Sequence, residues 1–237
     1  MPDITVVVPS HERRDWLRLC LTAVADLPER PAVVVVDNGS NDGTAGMVAH
    51  EFPQVRMLRR QPNATAEAFN AGVAAASTPI VALAEVDSGW VPGSLERAVK
   101  LMREYPRLAL IAARTLVGPK RVTDPMSEHL SAASRGVEND LPGPSVQGFR
   151  SSSAILRRDA FLAVGGFDPA ARATGPERRL AYDLARAGWG LAYVQDIVST
   201  SERAHQASFS PQETVTRRRV RVKSRWAAGQ GAPPSQW

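Results

Sequence analysis

Only one cysteine stands in the 237 residues, Cys20, flanked by Leu19 and Leu21. A single thiol excludes an intrachain disulfide framework and a cysteine-built metal centre, and in an apolar, amphipathic setting it reads as a buried core group. The chain opens with no charged segment leading into a long apolar stretch. No run in it approaches the ~18 apolar residues that a membrane-spanning helix requires. These absences lead us to expect a cytoplasmic protein. Hydrophobic residues make up 43% of the chain, enough for a sizeable core, and the length suits one α/β domain, expected over 1–210, with a C-terminal appendage over 211–237. A formal charge of +5 and a pI near 10.0 suit an anionic partner: nucleic acid, a membrane surface or a nucleotide diphosphate.

Two continuous runs of β-branched residues, ITVVV (Ile4 to Val8) and AVVVV (Ala32 to Val36), predict strands buried on both faces and so a largely parallel sheet. Between them Trp16, Leu17, Leu19, Cys20, Leu21 and Val24 recur at helical spacing until Pro28, which makes the first unit strand, helix, strand. The alternation continues: a helix from Thr44 to Phe52, a strand from Val55 to Leu58, an alanine-rich helix from Thr65 to Ala76, and a strand from Pro79 to Ala84. A helix capped by Ser94 and a strand from Leu108 to Ala113 follow. Prolines and glycines at Pro119, Pro125, Gly136, Pro142, Gly143 and Pro144 predict a long mobile loop over 118–148. Beyond it SSAIL reads as a strand, Asp159 to Val164 and Glu177 to Ala187 as helices, Leu191 to Val194 as a strand, and the chain from Pro211 to Gly229 as helical. Such alternation predicts an α/β architecture.

In open α/β sheets ligands bind at the carboxyl ends of the strands, where loops diverge and helix N-termini expose free N–H groups. Three polar clusters fall there: PSHER after the first strand, DNGSNDGT (Asp37 to Thr44) after the second, and EVDS (Glu85 to Ser88) after a later one. Asp37 directly follows VVVV, where its carboxylate can accept hydrogen bonds from a nucleobase N–H or a ribose hydroxyl; an ordinary turn and helix cap would use the same residue types. Neither GxxxxGK[ST] nor GxGxxG occurs in this loop, which argues against an NTPase or a nicotinamide enzyme. Glu85 and Asp87 offer the hard oxygen ligands that Mg2+ or Mn2+ shares with phosphates. A charged surface turn would look alike.

Taken in order, VVVPSHERRDWLRLCL, VVVVDNGSNDGT, NATAEAFNAG, AEVDS, RRDAFLAVGGFD, GPERRLAYDLARAGWGLAYV and HQAS resemble the family 2 glycosyltransferases of the GT-A fold, especially rhamnosyltransferase-like bacterial members. The resemblance spans most of residues 4 to 208. It implies a Rossmann-like, mostly parallel mixed sheet flanked by helices, with a basic helical tail. It also implies an inverting, metal-assisted transfer of sugar from a nucleotide-diphosphate donor to an acceptor hydroxyl. Position by position, Pro9 and Glu12 fall in the first nucleotide-contacting loop, Asp37 matches the acid that contacts the base, and Asn63 and Asn70 lie in the stretch that helps hold the nucleotide. Glu85 and Asp87 match the element that binds donor sugar and metal, and His205 matches the late histidine near the metal or diphosphate. Glu177 stands where the family places its catalytic-base Asp, with Pro176 and Arg179 in place of flanking acids; the extra methylene shifts its carboxylate by about 1.5 Å.

The implied roles are proton removal by Glu177 and neutralisation of the departing diphosphate by a cation, Mg2+ or Mn2+, near Glu85 and Asp87, with Arg150, Arg178 or Arg179 as supplements. The departures at Glu85, Pro176, Glu177 and Arg179 also fit a catalytically weak GT-A domain that binds a nucleotide or partner. A sugar-phosphate nucleotidyltransferase would need a Gly-rich, Arg-containing loop where PSHERRDWL stands. The tail RRRVRVKSRW has three readings: a solvated helix face, a lid over the diphosphate, or contact with an anionic membrane at the inner face. No nucleic-acid recognition module accompanies it, so nucleic acid is not expected as a partner.

Overall fold

A computed structural model describes residues 2–61, 65–132, 139–171 and 175–202. They belong to one compact unit, Met1–His205. The expected helical tail and the boundary at 210 lie outside the described residues.

The β-branched runs form β1 (Ile4–Ser10) and β2 (Ala32–Asp37), joined through α1 (Arg14–Ala25). Next come α2 (Thr44–Glu51), β3 (Arg56–Arg59), α3 (Thr65–Ala75), β4 (Ile80–Leu83), β5 (Ser88–Trp90), α4 (Ser94–Glu104) and β6 (Leu108–Val117). The second half carries β7 (Val122–Thr123), α5 (Pro125–Ala132), β8 (Ala154–Arg157), α6 (Arg158–Ala163), α7 (Pro176–Arg186) and β9 (Gly190–Ser201). A single 3-10 turn, Ser151–Ser153, leads into β8.

One sheet runs in the order β3-β2-β1-β4-β8-β6-β9-β5, with β7 hydrogen-bonded to β6. β1 pairs in parallel with β2 and β4, β2 with β3, and β6 with β9; β8 runs antiparallel to both β4 and β6. It follows that β1, β2, β3, β4, β6 and β9 all end at the same edge, and that β8, with the turn before it, begins there. The register Ser10↔Asp37↔Arg59 aligns the last residues of three strands along that edge. Both faces of the sheet are covered. Val6, Val8, Leu17, Leu21, Leu95 and Met102 pack on the face that carries α1, α2 and α4; Val7, Val36, Phe69, Phe161, Phe167 and Leu180 pack on the face that carries α3, α6 and α7. Two-sided burial is why the strands read as unbroken apolar runs.

The structure departs from the expectations at several places, β5 among them. Residues 118–148 are not a bare loop: β7 and α5 form within them, because the Asp124 carboxylate accepts the Met126 N–H at 2.9 Å and the Ser127 hydroxyl at 2.9 Å, fixing the first turn of a helix that opens with Pro125. Ser94 does not cap α4, whose cap is Gly93; its hydroxyl exchanges hydrogen bonds with the Val198 backbone on β9 at 3.1 and 3.2 Å. The last strand extends seven residues past Val194, to Ser201, as it pairs along the whole outer half of β6.

Candidate active site

At the shared carboxyl edge a cavity of about 500 Å3 is lined by Pro9, Ser10, His11, Arg13, Asn38, Thr65, Glu85 and Val86. Three of the sequence-derived clusters therefore meet around one space. The Ser10 hydroxyl is buried, and its Oγ has no hydrogen-bond partner among the described residues. An unmet polar atom on a residue that lines a cavity calls for a partner, such as a water or a polar ligand. A larger cavity, about 770 Å3, opens at the opposite edge, between the start of β1 and α4. Its charges are partly spent on each other: Arg103 on Asp3 at 2.7 Å, and the Glu29 carboxylate on the Gly93 N–H at 2.7 Å. Strand-end chemistry favours the smaller one.

Glu12 adopts a left-handed backbone with φ 50. Its N–H donates to the Ser40 hydroxyl at 3.0 Å, and its carboxylate accepts the Asn41 N–H at 2.8 Å. Asp42 completes the clasp, accepting from the Arg14 N–H and from the Thr44 N–H and hydroxyl. Although its own partial burial works against ionisation, these hydrogen bonds together hold the Asp42 carboxyl below the usual carboxylate range. The loops after β1 and β2 are thus bound into one rim.

Asp37 ends β2 with its side chain fully buried. Oδ1 accepts the Ser40 N–H at 3.0 Å, and Oδ2 lies 3.2 Å from Arg59 Nε, yet Oδ2 accepts no hydrogen bond among the described residues. Arg59, itself exposed, also donates to the Ser40 carbonyl at 2.9 Å. A donor group reaching Asp37 must share it with this guanidinium. Asn70 has both amide functions engaged by the Phe167 backbone, at 2.7 and 2.8 Å, and so ties α3 to the Gly-Gly-Phe turn after α6.

The acid pair Glu85 and Asp87 lies on the turn after β4. Ser88 Oγ accepts the Glu85 N–H at 2.8 Å and contacts the Glu85 carbonyl at 3.2 Å, while Cys20 Sγ lies 3.8 and 3.7 Å from the carbonyls of Glu85 and Ser88. Glu85 faces the cavity; Asp87, 7% exposed, is held between that turn and the end of β9, where its carbonyl accepts the Glu202 N–H at 2.9 Å. Burial, and secondarily the nearby Asp87 charge, push the Cys20 thiol up to about 12. Glu85 and Asp87 carry hard-oxygen donors of the type that a divalent cation takes together with oxygens from a diphosphate. No cluster of three such side chains occurs among the described residues, so part of the coordination would come from the ligand.

Glu177 is the second residue of α7, behind Gly175 (φ 77) and Pro176, and accepts a hydrogen bond from the Ser151 hydroxyl at 2.9 Å. The Ser151–Ser153 turn stands beside the end of β4, which brings Glu177 to the edge that carries Glu85 and Asp87. Two of the suggested helper cations are engaged elsewhere: Arg150 pairs with buried Asp124 at 3.1 Å, and Arg179 with Asp183 at 2.7 Å. Asn63 and His205 lie outside the described residues. Ser10, Arg59 and Ser151 were not singled out from the sequence; each gains its meaning from a contact with a distant residue or an unmet bond.

A mostly parallel sheet with acidic strand ends gathered at one edge is the frame of the GT-A fold. Among solved structures, a mannosyltransferase from Pyrobaculum calidifontis in complex with GDP-Man and Mn2+ matches with a TM-score of 0.66 at 22% identity, over 87% of this chain and 58% of that one. GalNAc-T7 with UDP, GalNAc and Mn2+ matches at 0.65 and 13%, over 86% and 44%. This chain spans less than two thirds of either, and the likeness establishes the fold. Residues 5–165 match Glycosyl transferase family 2; the chain belongs to that family and is a glycosyltransferase. An uncharacterised glycosyltransferase of Mycobacterium bovis is 32% identical over 192 residues, covering 78% of this chain and 80% of that protein. The N-acetylglucosaminyl-diphospho-decaprenol L-rhamnosyltransferase of Mycobacterium tuberculosis is 26% identical over 242 residues, covering 88% and 78%. No described helix is long and apolar enough to cross a membrane.

Proposed function

We propose that this domain transfers a sugar, with inversion, from a nucleotide-diphosphate donor to a hydroxyl of a lipid-diphosphate-linked acceptor. The observation that carries the reading is that Asp37, Glu85, Asp87 and Glu177 share one sheet edge, where Glu85 lines a cavity with Ser10, His11 and Asn38. Similarity to an enzyme named for a diphospho-decaprenol substrate supports the acceptor class. In this reading Asp37 and Arg59 receive the nucleobase, while Pro9 and the Glu12 clasp shape the wall beside it; Asn70 secures α3 through the Phe167 backbone, and Asn63, outside the described residues, keeps the nucleotide-holding role that the family resemblance implies. Glu85 and Asp87 would hold Mg2+ or Mn2+, which when bound supplies positive charge against the leaving diphosphate. Glu177 accepts the acceptor hydroxyl's proton as its oxygen bonds to the anomeric carbon; the bond from that carbon to the diphosphate oxygen breaks, and the nucleoside diphosphate leaves with the electron pair. The basic tail, with six Lys and Arg between Arg217 and Arg225, would hold the enzyme at an anionic bilayer; vesicle sedimentation that is unchanged on deleting 211–237 would remove that role.

The direct test is transfer from UDP-, dTDP- and GDP-linked sugars to a synthetic polyprenyl-diphosphate-linked N-acetylglucosamine, with wild type and Glu177→Gln. Turnover in the wild type that falls at least about 100-fold in Glu177→Gln is expected for a general base. Equal turnover in both would overturn the assignment, and tight nucleotide binding with no turnover across the panel would favour a binding module.

A further inference from the structure

Glu177 stands at the proposed base position with a side chain one methylene longer than aspartate. Its carboxylate needs an anchor to hold one direction, because each added rotatable bond multiplies the geometries available while proton transfer selects a narrow few. The structure contains such an anchor. Ser151 Oγ donates to Glu177 Oε1 at 2.9 Å across a sequence separation of 26. Ser151 is buried, and the backbone that carries it is held by the turn it begins, closed by the Ser153 N–H on the Arg150 carbonyl at 3.1 Å. Arg150, the residue before it, is locked by the ion pair with Asp124, whose carboxylate also accepts from Met126 and Ser127 at the start of α5. On the other side, the segment leading to Ser151 lies against α7, where a Cβ on Gly148 would sit 3.9 Å from the Arg178 side chain. Pro176 at the first helical position restricts the backbone just ahead of Glu177.

We propose, building on Glu177 as the base, that Ser151 is a positioning residue for it. By occupying Oε1, the serine hydroxyl fixes the carboxylate plane and leaves Oε2 to take the acceptor's proton. The Asp124–Arg150 pair is the footing on which that serine stands. A longer acid thereby works in place of a shorter one, because the fold supplies a hydrogen-bond donor on the adjoining turn.

The test compares Ser151→Ala, Ser151→Cys and Ser151→Thr with Glu177→Ala in the same transfer assay, with thermal unfolding to verify folding. Ala removes the hydroxyl; Cys keeps the shape with a weak donor; Thr keeps the hydroxyl. Loss of orientation predicts kcat lower by about 10-fold in Ala and Cys, KM for the nucleotide sugar within about twofold, and Thr within about threefold of wild type on both. In a Glu177→Ala background, Ser151→Ala has no further effect. Wild-type kcat in Ser151→Ala or Ser151→Cys beside an inactive Glu177→Ala overturns the positioning role alone, as does a parallel rise in KM or failure of Thr to restore kcat. Wild-type kcat in Glu177→Ala instead overturns the base assignment beneath it.

Discussion

Gly72 on α3 offers a sharp test of how the site is mounted on the sheet. A methyl group added there would meet Val7 Cγ1 at 2.2 Å and Val36 Cγ2 at 3.2 Å, and both valines are fully buried. Carbon atoms rest about 3.5 to 4.0 Å apart, so Gly72→Ala creates an overlap of roughly 1.5 Å with nowhere for Val7 to turn. Overpacking of this kind costs about 3 kcal/mol at the upper end, and replacing glycine by alanine inside a helix returns about 1 kcal/mol, leaving a net loss of about 2 kcal/mol. For a domain of this size that lowers the melting temperature by roughly 4 to 8 °C. The same exchange at Gly46 on α2, where nothing lies within 4 Å, should raise stability by about 0.5 to 1 kcal/mol. Calorimetry or chemical denaturation of the two variants reads opposite signs if the close approach is real. A Gly72→Ala protein at or above wild-type stability would refute it. Because Thr65 at the start of α3 lines the cavity and Asn70 binds the Phe167 backbone, a helix lifted from the sheet should also weaken nucleotide binding.

Arg150→Ala strands the buried Asp124 carboxylate and should cost about 3 kcal/mol in urea unfolding, while the double variant Arg150→Met with Asp124→Asn should lose clearly less; additive losses would show that the pair is not coupled. With its thiol raised from 9.0 to about 12, Cys20 should resist iodoacetamide in the native state at pH 8 and react only as fast as the protein opens. Since the unfolded thiol ionises first, stability should also fall as pH climbs from 9 towards 12; rapid native-state alkylation would contradict the burial. Asp42→Ala should cost about 1 kcal/mol near neutrality through the lost clasp of Thr44 and Arg14. The folded Asp42 carboxyl sits below its ordinary value, so this advantage is complete above the unfolded pKa and lost as pH falls through the folded one. Wild type and Asp42→Ala should therefore converge in acid.

Much of the frame was legible because the strands that build it are buried on both faces. ITVVV and AVVVV read as interior strands through their β-branched content, and the apolar spacing of α4 matches its inward residues Leu95, Ala98, Val99 and Met102, whereas in α1 Leu17, Cys20, Leu21 and Val24 turn inward but Trp16 and Leu19 of the same pattern are exposed. β5 was hidden: Ser88, Gly89 and Trp90 carry no strand signal, and the strand exists only because β9 supplies its partner. α5 was overlooked although Asp124-Pro125 is a helix-start signal, since the surrounding prolines and glycines spoke for a loop. At the candidate site, strand-end position drew attention to Asp37 and the Glu85–Asp87 turn, which are local features, and the family resemblance favoured a ligand role over an ordinary turn. Clasps and anchors were illegible for the opposite reason: Glu12 with Asn41, Asn70 with Phe167 and Glu177 with Ser151 join residues 26 to 97 positions apart. Nothing in a serine's neighbours announces that it will face a glutamate from another element.

The central claim, that the turn after β4 and the end of β2 form a cation-dependent nucleotide-diphosphate site, is tested most directly by titration calorimetry of UDP, dTDP and GDP against wild type and Asp87→Ala, with Mn2+ and with EDTA. Binding of at least one nucleotide in Mn2+, weakened 10-fold or more both by EDTA and by Asp87→Ala, is the expected result. Equal affinity in all four conditions would contradict the account.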